Sequence, residues 1–238
     1  MKTIKFITPK ALQKYILKEY YIWSGISPYY VPLFGTFFWK RLKNIIKLVL
    51  KIDFKSNKKF KNILDIGCGI GIFSLNLGKN LPNTKIIGID LLPLNGNRFI
   101  IQLFNKFNVE FRISTHDIQK KTEYPNEYFD LISALDVLEH VRNPKIALDE
   151  IKRILRNDGK LIITVPVESK LLKCLRLLYS KISKKKVIED HWLGEISSFQ
   201  EFNKLIKKEF KVELFKYYPF WKLPSIFAYG ILYLLSKK

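Results

Sequence analysis

The sequence predicts an α/β fold, a mostly parallel sheet with helices on both faces. Three observations carry this. Short apolar runs alternate with amphipathic stretches through the middle of the chain, as in repeated strand–helix units. The first run ends in an acid and a glycine-rich turn, Ile63-Leu-Asp-Ile-Gly-Cys-Gly-Ile-Gly71, and a helical pattern follows it. The chain has 238 residues, 47% of them hydrophobic, enough for one such domain with additions.

The individual elements follow from periodicity and punctuation. Strands are expected at 62–66, 85–89, 109–114, 129–134 and 160–165, and helices at 72–80, 95–107 and 144–155. Asn143-Pro144 suits an N-cap followed by proline at the first helical position, and Asn157-Asp-Gly159 reads as a turn into the fifth strand. Ser198 with Glu201 three residues on has capping-box spacing for a helix over 198–208. Lys211-Val-Glu-Leu-Phe-Lys-Tyr217 alternates well enough for a sixth strand.

Upstream, Thr8 and Pro9 can open a helix over 9–21, and a broken apolar run, 29–39, leads into a second helix over 36–51. There Lys40, Arg41, Lys43, Lys47 and Lys51 interleave with apolar residues. Downstream, 171–182 reads as a basic helix and Lys184-Lys-Lys186 as an exposed loop. The tail reads as a helix starting after Pro224. Its apolar run, 226–235, is about half of the roughly 20 residues a membrane span needs, so an interfacial or core-packed helix is expected. The resulting division is a basic aromatic helical cap (1–60), a core (61–218) and an apolar C-terminal helix (219–238).

Charge is unevenly spread. The net charge is +21; residues 1–60 carry +11, residues 61–169 carry +1 and residues 170–238 carry +9. Each flank holds 13 aromatics against 8 in the longer middle. Lysine outnumbers arginine 35 to 7, as compositional bias alone would give, but bias predicts an even spread. Basic, aromatic flanks around a neutral core point to something anionic and partly apolar, such as a membrane surface. Cys68 and Cys174 make no disulfide framework, and no secretory leader pattern is evident. A cytoplasmic setting is expected, with the flanks peripheral on the inner membrane face.

The glycine turn carries the chemistry. Glycines at 67, 69 and 71 allow positive φ and close approach of a ligand. The spacing differs from the G-x-G-x-x-G that cradles a pyrophosphate. Asp65 beside the turn would repel phosphate; it suits a ligand with a cationic amine and neutral hydroxyls.

With the segments that follow, this turn resembles motif I of the class I S-adenosylmethionine (SAM)-dependent methyltransferases. Lys85-Ile-Ile-Gly-Ile-Asp90, Ser114-Thr-His-Asp117-Ile118, the stretch from Tyr128 to Val141 and that from Leu148 to Pro166 look like the later motifs, in order. The last two are similar to the ubiquinone-biosynthesis-like branch. The resemblance covers roughly residues 60–218 and implies a Rossmann-like fold ending in a seventh, antiparallel strand, which is not evident in the tail.

The resemblance also assigns roles. Asp65 would face the methionine amino end, directly or through water. Gly67, Cys68 and Gly69 would give backbone contact. Asp90 would take the ribose hydroxyls, Leu91 would pack on adenine, Asp117 would take the adenine amino group with Ile118 against the ring, and Leu135 would lie in the loop under the sulfonium. Asp136-Val-Leu-Glu139-His140 resembles an acid-x-x-Glu-His element that orients a base near the substrate or accepts a divalent cation. On a helical turn the three polar groups could converge. The competing reading is a structural turn near SAM. His116 reads as packing or surface; His191, in Glu189-Asp-His-Trp192, is a second candidate base.

The expected activity is methyl transfer from SAM to a small-molecule acceptor, lipid-like or isoprenoid, at a membrane surface. RNA or another polyanion is the alternative substrate. It is disfavoured because no Asn/Asp-Pro-Pro-Tyr/Phe motif follows the fourth strand and no RNA-binding module is recognisable. A SAM-fold protein that only binds a partner is a third reading, opposed by the intact acids Asp65, Asp90 and Asp117.

Overall fold

The computed structural model describes residues 4–7, 12, 34–56, 59–92, 98–167, 194–218 and 228–238. The expected elements at 9–21 (apart from the buried Leu12), 171–182 and 184–186, and the His191 segment, lie outside these residues. In chain order the elements are α1 (Phe34–Lys55), β1 (Asn62–Ile66), α2 (Ile72–Gly78), β2 (Lys85–Asp90), α3 (Arg98–Lys106), β3 (Phe111–Thr115), β4 (Phe129–Leu135), a 3₁₀ turn (Leu138–His140), α4 (Pro144–Ile154), β5 (Leu155–Pro166), α5 (Phe199–Glu209), β6 (Phe210–Tyr218) and β7 (Gly230–Lys237). The seven strands follow the order β3-β2-β1-β4-β5-β7-β6. The chain divides into two compact units, Met1–Asp117 with Phe129–Leu131, and Ile118–Tyr128 with Ile132–Lys238.

In the first unit β1, β2 and β3 pair in parallel, with Asp65 opposite Gly88 and Asp90 opposite Thr115. Parallel strands need crossover connections, which puts helices between them in the chain. Both faces of β1 and β2 are buried, so their sequences are apolar without alternation. The Asp130 carboxylate accepts the backbone N–H groups of Lys61 and Asn62 and so fixes the start of β1. α1 buries Leu42, Ile45, Ile46 and Val49 and turns Lys40, Lys43, Lys47 and Lys51 to solvent. Asn76 Oδ1 on α2 accepts the Ile7 N–H, and Asn80 Oδ1, two residues beyond the helix, accepts the Lys5 N–H, each at 2.8 Å. The segment 4–7 is thereby strapped to that helix.

The second unit contains α4, packed by Leu148, Ile151 and Ile154, and capped as expected: Asn143 Oδ1 accepts from the Ile146 N–H, with Pro144 next. Glu150 on α4 gathers the Thr122 N–H and hydroxyl and the Nε and Nη2 donors of the Arg153 guanidinium. This ties the 118–128 segment down.

Two expectations are corrected. The C-terminal apolar stretch forms no helix where it is described. Residues 230–237 form β7, antiparallel to both β5 and β6 and buried for seven of its eight residues. An inner strand covered on both faces needs no polar alternation, so Gly-Ile-Leu-Tyr-Leu-Leu carries no period-2 signal. It is the seventh antiparallel strand, and it offers no face to a membrane. In addition, β5 starts at Leu155 and stays extended through Asn157-Asp-Gly159, where a turn was expected; there Arg156 Nε donates to Asp158 Oδ1 at 3.2 Å along the strand.

Candidate active site

The glycine turn leaves β1 and enters α2. Gly67, Gly69 and Gly71 all have positive φ, 64°, 52° and 78°, a region that side-chain-bearing residues rarely adopt. The Gly67 and Cys68 N–H groups donate to the Ile89 carbonyl at 2.8 and 3.2 Å, so the turn is anchored on β2. That close approach needs a glycine beneath it. A Cβ on Gly88 would stand 2.6 Å from both Cys68 Sγ and Phe111 Cζ.

Asp90 completes the anchor. Its Oδ2 accepts the Gly69 N–H at 2.7 Å and its Oδ1 the Leu92 N–H at 3.0 Å. The carboxylate is only half-buried, and an ionised carboxylate has about four acceptor sites, so it retains capacity for further donors. Leu91, next to it, is 71% exposed, an open apolar surface beside an acid. The His116 N–H donates to the Asp90 carbonyl at 2.9 Å and Thr115 Oγ1 to the Leu92 carbonyl at 3.0 Å. These bonds bring the half-buried Asp117 to the same strand ends as Asp90. His116 serves through its backbone and is half-buried.

Asp65 is buried, 3% exposed, and its Oδ2 accepts from Ser74 Oγ on α2 at 2.7 Å. This favours the indirect form of its expected role. Burial, and then the negative charges of Asp65 and Asp90, push the Cys68 thiol well above its ordinary range. Cys68 therefore stays a neutral thiol and a poor nucleophile. The same field favours a cationic ligand. The fit to SAM rests on this set: a glycine turn with Gly67 exposed, a half-buried acid, an exposed leucine and a negative field.

The second unit holds the other candidates. Ile118 is buried, and Leu135 is half-buried at the end of β4. Asp136, Glu139 and His140 do not form the expected three-group cluster, and among the described residues no group of three or more His, Cys, Asp and Glu side chains is placed to hold a metal. The reason is local. Asp136 has φ of +56°, which breaks helical register, and only Leu138–His140 form a 3₁₀ turn. Asp136 Oδ1 accepts from Thr164 Oγ1 at 2.7 Å and Tyr218 Oη at 3.0 Å. Glu139 is buried, whereas the His140 side chain is 49% exposed, with Nε2 3.8 Å from Glu139 Oε1.

Sequence reasoning missed Ser74, Thr164, Tyr218 and Gly230. A signal existed for Thr164, a lone hydroxyl inside the apolar run Leu-Ile-Ile-Thr-Val; none marks Tyr218, one aromatic among many.

Comparison with known proteins agrees with this geometry. Residues 38–212 match the family model described as a methyltransferase domain. An uncharacterized protein of Methanocaldococcus jannaschii is 32% identical over 214 residues, 88% of this chain and 80% of that one. The ubiquinone biosynthesis O-methyltransferase of Actinobacillus pleuropneumoniae is 32% identical over 123 residues, 48% of this chain. The match spans about half, 51%, of that relative's length. Among solved structures, the N-methyltransferase NodS of Bradyrhizobium japonicum, in complex with S-adenosyl-L-homocysteine, has the same fold, with a TM-score of 0.54 at 16% identity over 82% of this chain and 86% of that one. The chain belongs to the methyltransferase-domain family, and is a class I SAM-dependent methyltransferase.

Proposed function

We propose that this chain transfers a methyl group from SAM to a small-molecule acceptor, lipid-like or isoprenoid, while resting on an anionic membrane surface. The observation that carries the reading is the acid-tipped strand edge of the first unit, with Asp90 half-buried beside the open Leu91 and the glycine turn fixed on it. When bound, SAM supplies a methyl group already activated by its sulfonium for in-line displacement. Asp90 accepts the ribose hydroxyls, Leu91 covers one face of adenine and Asp117 accepts its amino group. Gly67, Cys68 and Gly69 offer backbone contact. Asp65 sustains the negative field from beneath. Asp136 contacts the acceptor and receives or holds its proton. In the second unit, Leu135 precedes Asp136 and Glu139 and His140 follow it in the 3₁₀ turn, and Ile118 remains an apolar candidate. Among the described residues no group of three or more His, Cys, Asp and Glu side chains supports the divalent-cation role. Calorimetry with SAM and S-adenosylhomocysteine tests the cofactor half; a flat trace for both abolishes it.

The surface part of the reading is supported by α1. Lys40, Lys43, Lys47, Lys51 and Lys55 share its exposed side, and Phe54, 78% exposed, stands among them. No acidic residue is exposed on that helix, since Asp53 is buried and accepts the Phe60 N–H. A basic helical face with an apolar tip suits an anionic bilayer. Flotation with vesicles containing phosphatidylglycerol, at moderate salt, tests it. Protein left at the bottom removes the membrane from the reading. Methyl incorporation into RNA would replace the small acceptor with a polyanion. A comparison of cell extracts with and without the protein, searching for a mass difference of about 14 Da, the net CH₂ of a methylation, identifies the acceptor.

A further inference from the structure

Asp136 closes β4 in a left-handed conformation, and two buried donors meet on one of its oxygens. Thr164 comes from β5, where the adjacent backbone is also engaged: the Asp136 N–H donates to the Thr164 carbonyl at 3.0 Å. The second donor, Tyr218, comes from the far side of the sheet. In the order β4-β5-β7-β6, the tyrosine on β6 must pass β7 and β5 to reach the end of β4. It passes at Gly230. Tyr218 pairs with Gly230, and Gly230 with Pro166, so the three lie in one row across β6, β7 and β5. A Cβ on Gly230 would overlap Tyr218 Oη and Cζ. The ring therefore lies directly over the bare backbone of β7. The row is locked at its ends by the Tyr229 N–H donating to the Tyr218 carbonyl at 2.9 Å and the Val167 N–H to the Tyr229 carbonyl at 2.8 Å.

A tyrosine laid over a glycine and aimed at a carboxylate is a costly arrangement if only packing is required. A left-handed aspartate adds local strain. We infer that Tyr218 is a positioning residue: through the trough at Gly230 it holds the Asp136 carboxylate, together with Thr164, in the orientation that receives the methyl acceptor. Both donors converge on Oδ1, so rotation of the carboxylate about its Cβ–Cγ bond is arrested while the side chain stays partly open to solvent. The inference rests on the reading of Asp136 as an acceptor contact and adds the device that orients it.

The test compares the wild type with Tyr218→Phe, Thr164→Val and Gly230→Ala. Tyr218→Phe keeps the ring and removes only the hydroxyl. Gly230→Ala keeps the hydroxyl and blocks its path. Crystal structures of each should show the Asp136 carboxylate turned or split between rotamers. Methyl transfer is measured with SAM tritiated in the methyl group and solvent extracts of cells lacking the protein as acceptor. All three variants should lose on the order of ten- to a hundredfold in kcat, as misplacement of a reacting group does, with the KM for SAM and the Kd for S-adenosylhomocysteine unchanged. An Asp136 side chain unmoved in Tyr218→Phe, or undiminished turnover by that variant, overturns the inference. So does a parallel loss of S-adenosylhomocysteine affinity, which would mark Tyr218 as general scaffolding. If the wild type methylates nothing in any extract, the acceptor role of Asp136 falls and the positioning role with it. Intact S-adenosylhomocysteine binding in that case would show that the cofactor half of the reading survives.

Discussion

Replacing Glu150 with glutamine tests the clamp that holds the 118–128 segment on α4. The carboxylate is 8% exposed in its side chain and the Arg153 partner 24%. Oε1 accepts from the Thr122 N–H at 2.8 Å, Thr122 Oγ1 at 2.7 Å and Arg153 Nη2 at 2.7 Å, and Oε2 from Arg153 Nε at 2.8 Å. Burial alone would raise the carboxyl's pKa. The bonds from Arg153 and Thr122 outweigh it and bring the value from the ordinary 4.5 to about 2. At roughly 1.4 kcal/mol per pH unit, that depression is worth about 3 kcal/mol at neutral pH, and about 2 after discounting the exposed part of the guanidinium. The sign follows from the depressed pKa in the folded state. The stabilisation is complete above the unfolded carboxyl's 4.5 and drains away as pH falls toward 2. Urea unfolding at pH 7 should therefore show Glu150→Gln less stable by about 2–3 kcal/mol with an unchanged slope. The gap to the wild type should narrow below pH 4.5 and nearly close near pH 2, because a protonated glutamate resembles the amide. A gap that is absent at pH 7, or that keeps its size down the acid range, refutes the electrostatic account.

Three further outcomes are expected. Asp90→Ala should weaken SAM binding by on the order of ten- to a hundredfold, the loss of a charge-assisted hydrogen bond. Calorimetry reads it, and an unchanged Kd removes Asp90 from the cofactor site. Cys68 should resist iodoacetamide at pH 8 and alkylate only above the ordinary thiol value of 9.0, followed by mass spectrometry; rapid labelling at pH 8 would contradict the neutral thiol. Gly88→Ala should cost about 1–3 kcal/mol by overpacking, because the added carbon meets Cys68 and Phe111, and should also weaken S-adenosylhomocysteine binding. A variant as stable as the wild type would mean the turn rests less tightly on β2 than these contacts require.

What could be read from the chain depended on whether the signal was local. Asn143-Pro144 announced a helix start through backbone chemistry that needs no tertiary partner, and the cap is present. The capping-box spacing at Ser198 was also legible, although Glu201 Oε2 reaches back to Ser197 N at 2.9 Å. β1, β2 and β4 were found because they end in an acid or a turn. β7 was missed because both its faces are buried, which erases alternation and leaves a run that suits a helix equally well. The expected convergence of Asp136, Glu139 and His140 assumed α-helical spacing, but the backbone at Asp136 is left-handed, and its carboxylate is taken up by Thr164 and Tyr218, both far away in sequence. Asp90 and Asp117 lie at neighbouring strand ends because parallel topology brings successive acid tips to one edge. Asp65 pairs with Gly88, two residues short of Asp90, and is buried with Ser74 as its donor; nothing in the sequence marks the role of Ser74.

The insertion of β7 between β5 and β6 has a consequence for biogenesis. During synthesis β6 emerges before the strand that must separate it from β5, so it has no correct neighbour to join. Until β7 arrives, the edge formed by residues 161–166 exposes unpaired amides flanked by aliphatic side chains, a template for joining other copies. Chaperone demand and inclusion-body formation should therefore track how fast those last β pairings close.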